Sequence, residues 1–489
     1  MDRVPRRERV WFRVGAVAAL TACVGLAVFS IAHSSAGKGL PGGFRDTVVL
    51  SGLTRPTAVA FARDGRVFVA QQDGRIEVFD GLDDPVPTLF ADLSTEVYNF
   101  WDRGLLGLAL DPRFPERPFV YVAYTYDAPI GGSAPRWGRP GKLLDVCPDP
   151  PGILDDGCVV SARLSRLHAK RDRMIEEKVL IEDWCLQFNT HSVGDIGFGS
   201  DGALFMSGGD GASWTFADWG QRGRPRNPCG DPPAGVGGRM VPPTAEGGAL
   251  RAQDLTTPGD PVTLDGAVIR VSRDTGEGLP DNPLAQDRDA NARRIVAYGF
   301  KQPFRFAVQP GTDAVWVGDV GLDTWEEINV ISSFARPVEN FGWPCYEGPE
   351  RQHHYAENLQ ISNLAICKGL YADADREVTK PHFAYSHSKY VATGDVCPPR
   401  GSAISGLVFY ERGSYPEKYR GALFFADYSR GCIWAMRTGE DGVPDPHKVS
   451  LFARASAVDL AVGPGGDLYY VDLVPGTVRR IAYQGGQSN

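Results

Sequence analysis

The chain has 489 residues, of which 43% are hydrophobic and 23% are charged, and both fractions are ordinary for a globular protein. Its 58 Gly and 37 Pro favour many short strands joined by tight turns and exclude a fold built on long helices. Residues 1–37 carry five Arg and two acids, so the rest of the chain has a formal charge of −12. A surface this acidic argues against nucleic acid or an anionic membrane as the partner of the main domain.

The N-terminus has the pattern of a targeting segment. A basic stretch is followed by an uncharged run of 19 residues, Val14–Ala32, and then by small residues at His33–Gly37 that suit cleavage of a signal peptide. The run is also long enough for an uncleaved membrane anchor, and Leu20–Cys23 is typical of a lipoprotein signal. All three interpretations predict export of the main domain, secreted or anchored at the cell surface, with membrane contact through this segment alone.

From residue 45 to residue 485 one pattern recurs six times: an apolar strand, a turn that is often Asp-Gly, and a second apolar strand. The copies begin at Ala58, Gly107, Asp195, Phe304, Ser405 and Val458. Third strands are predicted at Arg75–Phe79, Glu327–Ile331, Cys432–Met436 and Thr477–Ile481. Six copies predict an all-β, six-bladed β-propeller with four-stranded antiparallel blades, in preference to a sandwich or two β-domains. Long loop insertions are expected near 127–160 and 212–262.

Eight cysteines remain when Cys23 of the leader is set aside, and none forms a CxxC motif. An even number of cysteines outside the cytoplasm predicts disulfides. Eight cysteines allow 105 connectivities, so the sequence does not assign them. We expect sequential pairing, most securely between Cys147 and Cys158 across a loop rich in Pro, Gly and Asp.

Several ordered motifs resemble the glucose/sorbosone dehydrogenase family, which includes quinone-dependent sugar dehydrogenases and the propeller of hedgehog-interacting proteins. The motifs are Arg103–Leu108, His191 with Phe198–Phe205 and Gly208–Asp210, Tyr298–Arg305, Gly318–Gly321, Trp325–Asn329 and Asn340–Pro344. The resemblance covers roughly residues 45–480, and several motifs in order are more specific than any one alone.

The resemblance implies a pyrroloquinoline quinone (PQQ) cofactor over the channel mouth and a histidine that takes the proton from the sugar C1 hydroxyl. His191 stands at that position, and imidazole suits a general base because its ordinary pKa lies near neutrality. Asp210 would support His191, and Asp102 stands near a polar position of the cofactor site. From the residues alone, the favoured interpretation of His191 is a polar loop histidine with no proton to move. The other candidates, His353, His354, His382 and His387, are expected in loops or at the surface.

PQQ carries three carboxylates, so its pocket needs fixed cations, preferably arginines. The chain departs from the family here, because Lys301-Gln302 replaces an Arg-Asn pair and Ser456–Val458 replaces an Arg-x-Arg segment. The family's cofactor lysine aligns with Ser429. The candidate cofactor-binding residues are therefore Lys301, Gln302, Arg305, Arg430 and Asp102. The alternative for the cations is surface or interblade ion pairing.

The resemblance also implies a calcium site in the acidic, Gly-containing loop Asp319–Asn329, since calcium prefers carboxylate and carbonyl oxygens. The implied ligands are the carbonyls of Val320, Gly321 and Leu322 and the carboxylate of Glu326, with Asp319 and Glu327 as further candidates. The alternative is a turn whose acids cap neighbouring amides.

Two functions are consistent with these motifs. The first is a calcium-supported, PQQ-dependent dehydrogenase that oxidises an aldose at C1 to the lactone and passes electrons to an external acceptor. The second is a non-catalytic extracellular binding propeller of the hedgehog-interacting type, which would bind partners through its long insertions. A calcium-dependent lactone hydrolase has no matching motif. Trp101 and Trp214, both on predicted loops, are candidates for stacking on a sugar or quinone ring.

Overall fold

Six small sheets follow one another along the chain, and each begins with one of the predicted hairpins. The computed structural model describes residues 39–149, 151–152, 157–212, 229, 247–257, 261–334, 337–352, 355, 364–372, 378–399 and 401–485. The predicted leader in residues 1–37 lies outside these ranges, as do Trp214, His353 and His354. No helix within the described ranges has the length and apolar character needed to span a membrane.

The first half of the chain forms three blades. Strand β1 (Phe44–Leu50) precedes blade 1, which contains β2 (Pro56–Phe61), β3 (Val67–Gln71), β4 (Arg75–Phe79) and β5 (Thr88–Asp92). Blade 2 contains β6 (Leu105–Leu110), β7 (Phe119–Tyr126), β8 (Val160–Lys170) and β9 (Arg173–Leu186). Blade 3 contains β10 (Val193–Phe198), β11 (Leu204–Gly208), β12 (Ala267–Val271) and β13 (Ile295–Tyr298), with a 3-10 helix at Gly248–Thr256 and helix α1 (Ala290–Arg294) before β13.

The second half completes the ring. Blade 4 begins with β14 (Pro303–Val308), β15 (Val315–Asp319) and β16 (Trp325–Ile331). A long connection then carries β17 (Glu339–Asn340), β18 (Tyr346–Glu347), β19 (Glu350–Arg351) and helix α2 (Ala365–Ala372) before β20 (Phe383–Ser386) ends the blade. Blade 5 contains β21 (Ile404–Tyr410), β22 (Ala422–Asp427), β23 (Cys432–Thr438) and β24 (Pro444–Ala453), with a 3-10 turn at Glu417–Tyr419. Blade 6 contains β25 (Ala457–Val462), β26 (Leu468–Asp472) and β27 (Thr477–Tyr483), with a 3-10 turn at Pro464–Gly466.

The sixth blade takes its outer strand from the other end of the chain. β1 pairs antiparallel with β27, from Phe44 opposite Tyr483 to Leu50 opposite Val478. The ring of Phe44 meets the ring of Tyr415 edge-on at 4.7 Å, which ties the closure to blade 5. The predicted six-bladed propeller is therefore confirmed, with the ring closed between residues 44 and 483. One strand departs from the antiparallel pattern, since β17 adds to β13 in parallel as a fifth strand of blade 3.

The first strands of the six blades, β2, β6, β10, β14, β21 and β25, are the innermost ones, and each contacts the next around the ring. This approach is close enough to need glycine: a Cβ at Gly194 would lie 2.4 Å from the carbonyl oxygen of Pro303, and one at Gly406 would lie 2.6 Å from the nitrogen of Leu460. We call the end of the ring where these six strands begin the entry face. The connections that precede them bring residues distant in sequence to that face.

Long connections interrupt blades 2, 3 and 4. The predicted insertions lie between β7 and β8 and between β11 and β12, while the connection between β16 and β20 was not predicted. Four disulfides hold these and neighbouring segments, and the predicted sequential pairing is confirmed: Cys147–Cys158, Cys185–Cys229, Cys345–Cys367 and Cys397–Cys432.

Candidate functional site at the entry face

A histidine–carboxylate pair lies at the start of blade 3. His191 lies two residues before the innermost strand β10, and its Nδ1 lies 2.8 Å from Oδ1 of Asp210. Its backbone has φ +53°, in the left-handed region that a histidine adopts only when its surroundings hold it there. A Cβ at Gly209 would lie 2.4 Å from the carbonyl oxygen of His191, so the Gly208–Asp210 motif allows the two loops to meet.

Asp210 is fully buried and held by three donors. Besides the imidazole of His191, its Oδ1 accepts the backbone N–H of Ala212 at 2.9 Å, and its Oδ2 accepts the indole N–H of Trp343 at 2.7 Å. Burial acts to raise the pKa of Asp210, but the pair with His191 and the charge of Lys301 outweigh it and lower that pKa. Asp210 is therefore an ionised acceptor, and it assigns the proton of the imidazole to Nδ1.

The same surroundings keep the imidazole neutral. Burial and the nearby charge of Lys301 lower the pKa of His191, and the pair with Asp210 opposes them only in part. Since Nδ1 carries the proton, Nε2 presents a lone pair, and no hydrogen bond occupies Nε2 in the described part of the chain. A neutral imidazole with a free, oriented nitrogen can accept a proton from a hydroxyl group.

Three of the predicted cofactor residues surround this pair. Lys301 is buried, and none of the described acids lies within 4 Å of its ammonium group. The side-chain oxygen of Gln302 is also buried, and it has no donor within the described ranges. Asp102 has an exposed side chain, but the protein packed around it removes part of its hydration and raises its pKa. The charges of His191 and Lys301 act to lower that pKa and offset the rise only in part. His191, Lys301, Gln302 and Asp102 thus converge at the entry face.

The two predicted arginines are both engaged by backbone carbonyls of the protein. Arg305 is buried in the central channel, where it donates to the carbonyls of Thr57 at 2.7 Å, Val458 at 3.3 Å and Gly194 at 3.3 Å, on three other blades. Its guanidinium lies 3.7 Å from Asp459 and 4.0 Å from Asp195.

Arg430 donates to the carbonyls of Ser386 at 2.7 Å and Lys389 at 2.9 Å and to the hydroxyl of Ser402 at 2.8 Å. The interblade role that the sequence left open therefore accounts for the contacts of both arginines. Their donors are engaged by the protein.

Sequence reasoning missed two residues of the site. Trp343 anchors Asp210, and its position depends on a long-range approach that the motif Asn340–Pro344 does not reveal. Arg55 directly precedes the innermost strand β2, and its charge acts on Asp102. A signal for Arg55 existed, because Asp102, His191 and Lys301 also stand just before innermost strands. Like His191 and Trp101, Arg55 has positive φ.

The loop predicted to bind calcium is organised around a carboxylate that the sequence did not single out. Oε1 of Glu347 accepts four successive backbone N–H groups, from Leu322, Asp323, Thr324 and Trp325, at 2.9 to 3.2 Å. Four inward amides form a nest that neutralises a buried acid. The loop is thus a turn whose amides are capped by an acid, which resembles the alternative to a calcium site given above. The capping acid comes from β18 and not from the loop itself. The carbonyls of Val320, Gly321 and Leu322 accept no backbone hydrogen bond in the described part of the chain.

The acids of this loop are engaged by protein donors. Asp319 accepts the backbone N–H groups of Lys301 at 3.0 Å and Gln302 at 2.6 Å, and burial together with the charge of Glu327 raises the pKa of Asp319 well above its usual range. Glu326 is bound by His387 Nε2 at 2.8 Å and by the N–H of Ile404 at 2.8 Å.

Burial raises the pKa of Glu326 to about 7, although the bond from His387 acts to lower it. His387, expected in a loop or at the surface, thus has a buried acid as its partner. Among the described residues no group of three or more acids, histidines or cysteines could hold a metal ion.

Comparison with known proteins decides the family. The model of the Glucose / Sorbosone dehydrogenase family matches residues 53–222 and 246–477. The chain belongs to the glucose/sorbosone dehydrogenase family. Its relatives include the HIPL1 protein of Arabidopsis thaliana, 23% identical over 71% of this chain, and the aldose sugar dehydrogenase YliI of Escherichia coli, 25% identical over 45% of it. This chain spans only 46% and 49% of the lengths of those two proteins.

Solved structures of sugar dehydrogenases share the fold of this chain. A putative glucose dehydrogenase of Thermus thermophilus has a TM-score of 0.59 at 22% identity, covering 90% of this chain and all of the other. The PQQ-bound aldose sugar dehydrogenase of Streptomyces coelicolor has a TM-score of 0.56 at 16% identity, covering 91% of this chain and all of the other. At such identities the likeness shows a common propeller and leaves the chemistry to the site.

Proposed function

We propose that this glucose/sorbosone dehydrogenase family member is a PQQ-dependent sugar dehydrogenase that oxidises an aldose at C1 to the lactone. The observation that carries the proposal is the neutral imidazole of His191, which is held through Nδ1 by a buried, ionised Asp210. Its Nε2 keeps a lone pair that can accept a proton. Support comes from the family match and from the PQQ bound by an aldose sugar dehydrogenase of the same fold.

The residues around His191 fit a cofactor that carries carboxylates and carbonyls. The ammonium of Lys301 is buried without a counter-ion among the described residues, which is costly unless a negative ligand joins it. The oxygen of Gln302 lacks a donor within the described ranges, another sign that a polar partner belongs there. Lys301 and Gln302 would hold PQQ, with Arg55 as a second cation at the mouth. Arg305 and Arg430, whose donors serve backbone carbonyls, would not contribute.

The chain's own residues then have defined roles. Nε2 of His191 accepts the proton of the C1 hydroxyl while Asp210 keeps the Nδ1 proton in place and stabilises the imidazolium that forms. Trp343 fixes the second oxygen of Asp210, so the carboxylate cannot rotate away from the imidazole. PQQ, when bound, supplies the hydride acceptor for C1. The sugar thus loses one proton and one hydride and becomes the lactone, and an external acceptor later removes the two electrons.

Calcium support belongs to the same proposal. Asp319 and Glu326 are engaged by protein donors, so the proposal rests on the carbonyl oxygens of Val320, Gly321 and Leu322. Because the N–H groups of Leu322 and Asp323 donate to Glu347, the carbonyls of Gly321 and Leu322, which share those peptide groups, point away from that carboxylate. Carbonyl oxygens alone bind calcium weakly, and a carboxylate of the bound cofactor would complete the ligand set.

A second function is favoured by one observation. Both predicted cofactor arginines serve the backbone, which leaves Lys301 as the one buried, unpaired cation among the described candidates. A propeller that has lost quinone binding would keep this architecture and bind a partner outside the cell, as in the hedgehog-interacting type. Detectable turnover of any aldose by the PQQ-loaded protein separates the two functions.

The experiment compares the wild-type protein with His191→Ala, both loaded with PQQ and calcium, in a screen of aldoses with an artificial electron acceptor. We expect wild-type turnover and a loss of about 10²–10⁴-fold in His191→Ala, because the general base is removed. Equal turnover by a variant that binds PQQ normally would contradict the proposal. Absence of turnover in the wild type would favour the binding propeller.

A further inference from the structure

The first insertion presents large apolar side chains to solvent. We define the basic loop as residues 130–146, between β7 and β8. Leu144 is 60% exposed and Val146 59%, and Leu143 and Ile130 are exposed as well. Single exposed apolar residues are common, but four on one short loop mark a surface that meets another molecule.

The charge of the basic loop is opposite to that of the chain. Its cations Arg136, Arg139 and Lys142 are all exposed, and its one acid, Asp145, is buried. No ion pair within 4 Å neutralises these cations in the part of the chain that the structure describes. A chain of formal net charge −9 therefore carries a locally positive surface at this loop.

The loop is built to hold its shape. Asp127 accepts the backbone N–H groups of Arg136 at 3.1 Å, Trp137 at 3.0 Å and Gly138 at 2.9 Å. The indole N–H of Trp137 donates to the carbonyl of Val159 at 3.0 Å, and the disulfide Cys147–Cys158 closes the base of the insertion. The exposed apolar side chains thus stand on a fixed scaffold, so they are presented at little further cost in conformational entropy.

The loop lies beside the entry face. The backbone N–H of Asn99 donates to Oδ2 of Asp145 at 3.0 Å, and the backbone N–H of Asp145 donates to the carbonyl of Asn99 at 3.0 Å. Asn99 lies three residues before Asp102 of the candidate site.

We propose that the basic loop docks on the surface of an anionic phospholipid bilayer. Leu143, Leu144 and Val146 enter the headgroup region, while Arg139 and Lys142 pair with lipid phosphates. This combination of apolar side chains and flanking cations is what interfacial binding requires, and each cation near an anionic surface contributes about 1 kcal/mol, or about fivefold in affinity. The inference does not depend on catalysis.

The acidic charge of the whole chain does not oppose such docking at physiological salt. Charges act over a Debye length of about 8 Å there, so the basic loop is the part of the surface that the bilayer senses at contact. The net charge that disfavours an anionic membrane averages over the whole surface, whereas the structure shows a region of opposite sign at the basic loop.

The test uses residues 38–489, since the ring closes within 44–483, exported so that the four disulfides form. Sedimentation with vesicles of phosphatidylcholine plus phosphatidylglycerol is compared with pure phosphatidylcholine. We expect binding to the anionic vesicles. Leu143→Ser with Leu144→Ser should weaken it on the order of tenfold. Arg139→Gln with Lys142→Gln should weaken it by about 25-fold, since two cations contribute about fivefold each. The matched control is Val86→Ser with Ile175→Ser, two exposed apolar residues at the opposite end of the blades.

Three outcomes would overturn the inference. One is absence of binding to the anionic vesicles by the wild type, and another is an equal loss in the control variant. The third is binding that survives the leucine substitutions and disappears in salt, or that favours a soluble acidic polymer over vesicles, which would identify a purely electrostatic site. Unchanged near-ultraviolet circular dichroism shows that each variant is folded.

Discussion

Substitution of Asp210 by asparagine tests the arrangement on which the proposed base depends. In the folded protein Asp210 accepts three hydrogen bonds and donates none, from His191 Nδ1, Ala212 N and Trp343 Nε1. An asparagine has one accepting oxygen and one donating NH₂ group. Whichever way the amide is placed, its NH₂ group would face the N–H of either Trp343 or Ala212. In the placement that faces Ala212, it would also face Nδ1–H of His191 unless the imidazole changes its tautomer.

The expected result follows from that conflict. If the amide oxygen accepts from Trp343, the NH₂ group faces the imidazole, Nδ1 becomes an acceptor, and the proton of His191 moves to Nε2, which then cannot act as a base. We expect turnover to fall by about 10³–10⁴-fold with PQQ binding nearly unchanged. The lost charge-assisted bonds and the N–H left facing Ala212 should cost about 2–3 kcal/mol of unfolding free energy.

Two assays check this result. Single-turnover reduction of bound PQQ by the sugar reports the chemical step, and ¹⁵N chemical shifts of His191 report the tautomer without any turnover. The matched control is Asp467→Asn, a buried aspartate that pairs with Arg480 and lies in the turn between β25 and β26, at the end of blade 6 opposite the entry face. If Asp210→Asn turned over sugar at the wild-type rate, or if Nδ1 of His191 kept its proton, the reasoning would be refuted.

Three further predictions concern the support of the site and the channel. Trp343→Phe should remove the donor to Oδ2 of Asp210 and lower the unfolding free energy by about 2 kcal/mol, as measured by urea denaturation. The fold-decrease in kcat should exceed the fold-increase in KM for the sugar, and an unchanged kcat would contradict a positioning role for Trp343. Arg305→Met should leave Asp195 and Asp459 without their cation and cost about 3–5 kcal/mol, whereas an unchanged urea midpoint with lost PQQ affinity would make Arg305 a cofactor ligand after all. Burial raises the pKa of Asp459 to about 6 although Arg305 opposes it, so the folded state keeps a proton that the unfolded chain releases near pH 4. Stability should therefore fall as pH rises from about 4 to 6, and Asp459→Asn should flatten that part of the profile; an identical slope in both proteins would contradict the assignment.

The fold was accessible from the sequence because each blade repeats a local signal. Six hairpins, four third strands and the sequential disulfides depend on contacts between near neighbours in the chain, and all of them are present. The parallel strand β17 and the connection between β16 and β20 were missed, since two-residue strands and irregular loops carry no periodicity. The pairing of β1 with β27 joins the two ends of the ring and has no local signal either.

The site was accessible only in part, and the reason is the same. His191 and Asp210 lie 19 residues apart in one motif, and the structure brings them together. The aligned positions of Arg305 and Arg430 gave no indication of where their side chains point, which is set by carbonyls of other blades. Glu347 reaches the turn at 322–325 from another strand, and its role depends on a nest of amides that composition does not reveal.

The most direct test of the account is a calorimetric titration of PQQ into the calcium-loaded protein without its leader, with Lys301→Met as the paired variant. The account predicts tight binding near one equivalent by the wild type and a loss of at least tenfold in affinity in the variant, because Lys301 is the buried cation available to the cofactor carboxylates. No binding by the wild type, or equal binding by both proteins, would contradict the proposed cofactor site and leave the entry face as a surface for partners.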